Sequence, residues 1–99
     1  MSGTVVESKP RNSTQLAPRW KVIYHDQPVT TFDFTTGLFR RVFAKPPGEA
    51  RRMTREAHDT GSVLVDVLAL EQAEFRRDQM HSLARAEGFP QTLTLEPAD

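Results

Sequence analysis

The chain has 99 residues, with 13 Lys plus Arg balanced by 13 Asp plus Glu, and no cysteine. That length suits one domain with a modest core and a shallow surface site rather than a deep catalytic cavity. The neutral balance argues against a nucleic-acid binder, and the missing cysteines exclude a disulfide framework, a thiolate metal site and a cysteine nucleophile.

Residues 1–18 are polar, with few large apolar groups and no signal-like apolar segment. They read as a flexible N-terminal tail ahead of a core domain over residues 19–99. No apolar run approaches the ~20 residues needed to span a bilayer, so no membrane partner and a cytoplasmic location are expected. Trp20, Val22 and Tyr24 alternate with Lys21 and Ile23, predicting a short strand that His25-Asp26-Gln27-Pro28 breaks. Thr30 or Thr31 can cap a helix running to about Phe43, in which Phe34, Leu38 and Val42 make an apolar stripe flanked by Phe39 and Phe43. Pro46-Pro47 opens a second helix with Ala50, Met53 and Ala57 inside and Gly61 as its stop.

Ser62 to Leu68 is rich in Val and Leu and reads as a strand. A long helix follows from about Leu70 to Glu87, with Leu70, Ala73, Met80, Leu83 and Ala84 inward and Gly88 as its stop. A last strand runs from Thr92 to Glu96. The order strand-helix-helix-strand-helix-strand predicts an α+β sandwich, a three-stranded antiparallel sheet with three helices on one face.

The sequence offers little chemistry of the usual enzymatic kinds. His25, His58 and His81 fall on different elements without metal-ligand spacing, and there is neither a Gly-rich phosphate loop nor a G-x-S-x-G elbow. No enzyme activity, metal or cofactor is expected. The doublets Arg40-Arg41, Arg51-Arg52 and Arg76-Arg77 sit among Glu49, Glu56, Glu74 and Asp78, as solvated helix faces do. His58 near a helix end and Asp26 after a strand are commonplace when taken singly.

From Trp20 to Pro97 the chain resembles the ClpS family of N-degron adaptors. The resemblance rests on Lys21-Val22, Phe34, Leu38, Phe43, Ala50, His58 with Gly61, Glu71-x-Ala73-Glu74, Ala84-Arg85, Pro90 and the ending Thr94-Leu95-Glu96-Pro97, in order and without gaps. It implies a monomeric adaptor that binds N-terminal peptides of substrate proteins and docks on the N-terminal domain of a ClpA- or ClpC-type unfoldase. An ammonium has three donors and no acceptor, so such a site must supply acceptors beside a dry side-chain pocket.

The resemblance assigns the α-amine to Asp26, Gln27 and His58. Asp26-Gln27-Pro28 stands where the family carries Asn-Asp-Asp, and Pro28 brings neither carboxylate nor N–H. It assigns the side-chain pocket to Thr30, Phe32, Leu38, Thr54 and Ala57. Phe32 stands for a gating methionine, and Thr54 and Ala57 for Met and Val. That exchange implies a wider, shallower pocket preferring Leu, Ile and Val. Glu71 and Arg76 fall at the unfoldase-docking positions. Two other readings stay open. One is a divergent relative that docks an unfoldase without capturing N-termini. The other is a small nucleic-acid or ribosome-associated protein, which the neutral charge disfavours.

Overall fold

A computed structural model describes residues 18–98, so the tail expected over residues 1–18 lies outside it apart from Pro18. The elements follow the order strand β1 (Arg19–His25), helix α1 (Phe32–Phe43), helix α2 (Pro47–Thr60), strand β2 (Ser62–Ala69), helix α3 (Leu70–Ala86) and strand β3 (Thr92–Pro97). β1 is the central strand, antiparallel to both neighbours in the order β2-β1-β3. The three helices pack on one face of this sheet, as the element order predicts.

Register decides which side chains reach that face. Tyr24 stands opposite Val63 on one side and Leu93 on the other, and all three are buried. Val22 is buried two residues earlier. On the opposite face Ile23 pairs with Leu64 and Thr94, and Leu64 is 48% exposed. The register slips between Val22 and Ile23, so β2 carries an extra residue at Val65. This bulge buries Val65 and turns Asp66 towards Lys45, 3.7 Å away.

The core lies between sheet and helices, where the Tyr24 ring meets Phe39 edge-on at 5.3 Å. Leu38, Phe39, Val42 and Phe43 come from α1, Ala50, Met53 and Ala57 from α2, and Ala73, Met80 and Ala84 from α3. Phe34 and Leu83 are half-buried and pack against this core, Phe34 with its ring centre 4.9 Å from that of Phe89. One expectation changes. Leu70 opens α3 directly after β2 and stays 38% exposed, since the helix has not yet turned over the sheet.

Helix ends then fix the loops. The Thr31 side chain accepts from the Phe34 N–H at 3.2 Å and starts α1. Gly61 closes α2 at φ 100°, a left-handed conformation in which a side chain is strained. Its N–H donates to the Ala57 carbonyl at 2.8 Å.

Candidate functional site

Gly61 has a second role. Its carbonyl accepts the Asp26 N–H at 2.9 Å, which fastens the loop after β1 to the end of α2. Asp26 and His58 are thereby brought together, with Oδ2 and Nδ1 3.9 Å apart. The loop turns at once, as the Thr30 N–H donates to the Gln27 carbonyl at 2.9 Å, with Pro28 inside the turn. A second anchor comes from the far end of the chain. Gln27 Nε2 donates to Thr92 Oγ1 at 2.7 Å, and Thr30 Oγ1 donates to the Pro90 carbonyl at 3.2 Å.

Beneath this loop lies a cavity of about 180 Å³ lined by Asp26, Gln27, Pro28, Thr30, Phe32, Thr35, Thr54 and His58. Thr54 and His58 are one turn apart on α2, and Phe32 and Thr35 occupy the same side of α1. Asp26 is the single carboxylate in the lining. The hydroxyls are largely engaged inside the protein. Thr54 donates to the Ala50 carbonyl at 2.9 Å and accepts from Thr36 at 2.8 Å, and Thr35 lies 3.4 Å from the Tyr24 hydroxyl. Chemically, the cavity offers one anionic acceptor, an imidazole and an amide oxygen beside a mostly apolar hollow.

Of the residues expected at the amine site, Asp26, Gln27 and His58 all meet here. Of those expected in the pocket, Thr30, Phe32 and Thr54 line the cavity. Leu38 and Ala57 do not. They are 1% and 0% exposed and belong to the core cluster. Thr35 lines the cavity without having been expected there, although its i+3 spacing from Phe32 on a helix was a usable signal. Glu71 and Arg76 lie elsewhere, with Gln72 and Phe75 around a shallow hollow at the start of α3. Among the described residues no group of three or more His, Cys, Asp or Glu could hold a metal ion, and no helix is long and apolar enough to cross a membrane.

Burial pushes the Tyr24 hydroxyl above its ordinary value, against a downward pull from its hydrogen bond with Thr35. Tyr24 therefore stays a neutral partner behind the cavity.

A sequence profile described as ATP-dependent Clp protease adaptor protein ClpS matches residues 15–94. The ATP-dependent Clp protease adapter protein ClpS of Desulfatibacillum aliphaticivorans is 35% identical over 92 residues, spanning 93% of this chain and 88% of the relative. The protein of the same name from Nitratidesulfovibrio vulgaris is 34% identical over 77 residues, 78% of this chain and 77% of the relative. Among solved structures, Agrobacterium tumefaciens ClpS2 bound to L-phenylalaninamide superposes with a TM-score of 0.79. It is 30% identical and covers 82% of this chain and 98% of its own.

Proposed function

The chain belongs to the ClpS family of Clp protease adaptors, and from that premise we propose that it captures the free N-terminal residue of substrate proteins for a Clp unfoldase. The observation that carries this reading is the Asp26–His58 pair at 3.9 Å in the lining of an otherwise uncharged, largely apolar cavity. A peptide N-terminus has the complementary form, an ammonium beside a side chain. The carboxylate accepts from the ammonium, and charge-assisted bonds of this kind are the strong ones. The ligand of the related ClpS2, L-phenylalaninamide, has the same form, a free α-amine next to an apolar side chain.

The preferred first residues are Leu, Ile and Val. Phe32 stands at the cavity with the Arg55 guanidinium 5.8 Å from its ring centre. A stiff ring held by a cation cannot fold aside for a large guest as a flexible thioether would. Thr54, its hydroxyl engaged, leaves its methyl for a β-branched guest. Docking on the N-terminal domain of a ClpA- or ClpC-type unfoldase is assigned to Glu71 and Arg76, and the adaptor acts as a cytoplasmic monomer.

A second reading has its own support. Gln27 turns its amide nitrogen to Thr92, and Pro28 has no N–H to offer. Both favour a relative that docks an unfoldase without capturing N-termini. The experiment that separates the two compares a Leu-starting peptide with its N-acetylated twin by fluorescence anisotropy. Acetylation removes the charge and donors, and losing two charge-assisted bonds of about 1.5–3 kcal/mol each weakens binding by ~100-fold or more. Asp26→Asn should narrow that ratio. Equal affinity for the two peptides removes the amine site and leaves the second reading. Tightest binding of Phe- or Trp-starting peptides overturns the aliphatic preference alone.

A further inference from the structure

We infer that Arg55 makes the site selective for an acidic residue directly after the captured one. The inference rests on the capture reading and deepens it. Arg55 lies on α2 immediately after Thr54 and one turn before His58, both of which line the cavity. The i, i+3 spacing puts Arg55 and His58 on the same side of that helix. Its guanidinium lies 5.8 Å from the centre of the Phe32 ring, another lining residue, so the cation stands at the cavity's border.

Its neighbours leave it available. Arg52 is taken up by Glu49 at 2.7 Å and Glu56 at 2.9 Å, whereas Arg55 forms no ion pair among the described residues. Asp59, one turn further along α2, does not pair with it either, and Asp26 is the partner of His58. The site is therefore polarised, with a carboxylate at the amine side and an unpaired guanidinium at the border. In the proposed pose the ammonium is at Asp26, the first side chain fills the cavity and the second residue leaves past Phe32 and Arg55. A carboxylate there meets a planar fork of donors suited to it. A lysine there meets repulsion.

The test uses the full chain and peptides with a free N-terminus that begin Leu-Glu, Leu-Gln and Leu-Lys and are otherwise identical. A second set carries the Glu or Lys at the sixth position. Exposed ion pairs are weak, so Leu-Glu should bind about threefold to tenfold tighter than Leu-Lys at low salt. The difference should shrink towards unity near 1 M salt, where the screening length is about 3 Å. Arg55→Gln should erase the difference and Arg55→Glu should reverse it, each read as the Leu-Glu to Leu-Lys ratio within one variant, so that any change in the hold on Phe32 cancels. The sixth-position set should show no comparable difference. Equal binding of the three second residues by the native chain, or a preference that survives in Arg55→Gln, overturns the inference while capture stands. Failure of every peptide to bind overturns capture and this inference together.

Discussion

The cavity and the first turns of α3 hold their polar groups in opposite ways. Around the cavity, three polar groups of the loop after β1 are tied to distant parts of the chain: the Asp26 N–H to Gly61, the Gln27 amide to Thr92 and the Thr30 hydroxyl to Pro90. On α3, Glu71 forms no ion pair among the described residues. Among those residues Arg76 reaches only Gln79 of its own helix at 3.4 Å and lies 5.4 Å from the centre of the Phe75 ring, itself 59% exposed. The first arrangement is preorganised and suits a small ligand whose affinity comes from fixed geometry. The second is adaptable and suits a protein surface, where charge sets orientation and encounter rate more than affinity.

The largest expected effect lies beneath both regions. Leu38→Ala removes a fully buried side chain from the core and should lower stability by about 2–5 kcal/mol in urea denaturation. The folded fraction should keep its affinity for a Leu-starting peptide. A loss of affinity in the folded protein would make Leu38 part of the pocket and not of the layer behind it. Next comes the separation itself. The double substitution Glu71→Lys with Arg76→Glu should weaken association with a ClpA- or ClpC-type N-terminal domain by about tenfold or more, since like charges then face each other. Peptide affinity should stay within about twofold, as surface changes away from a site rarely propagate. Retained docking would show that the α3 charges are solvent-facing only.

The smallest effect concerns His81 on the C-terminal half of α3. Burial pushes its imidazole below the ordinary value, Arg77 pushes the same way, Asp78 pulls less strongly in the opposite direction, and Arg85 adds the smallest downward push. The unfolded chain takes up this proton near pH 6.5, and the folded chain only at lower pH. Below about pH 6.5 the unfolded state binds more protons, so stability falls on acidification. His81→Gln should flatten that part of the stability profile without changing peptide affinity at neutral pH. An unaltered slope would show that the proton is taken up equally in both states.

Much of the fold was legible because it follows from local rules. A threonine at 30 or 31 to cap α1, Pro47 to open α2 and Gly61 to close it are written in single residues, and the structure decides for Thr31. The alternation around Tyr24 gave the sheet its covered face. The bulge at Val65 was not legible, since one extra residue in a Val-rich strand leaves no periodic trace. The site was legible only in part. Helical periodicity places Leu38 and Ala57 on an inward face, but it cannot separate a cavity's lining from the layer behind it. The braces from Pro90 and Thr92 join residues 60 and 65 positions apart and have no signature in the sequence at all.

Those braces have a consequence for how the protein fails. The cavity exists only when a loop near residue 28, the start of α1, the end of α2 and the approach to β3 are all in place. No fragment and no half-folded form contains it. In a domain this small, folding is close to all-or-none, so grip on a ligand should vanish in the same transition as the fold, with no loosened intermediate that holds the wrong guests. A damaged copy loses recognition altogether instead of losing discrimination first. For an adaptor that, as proposed, selects other proteins for a Clp protease, that is the safer order.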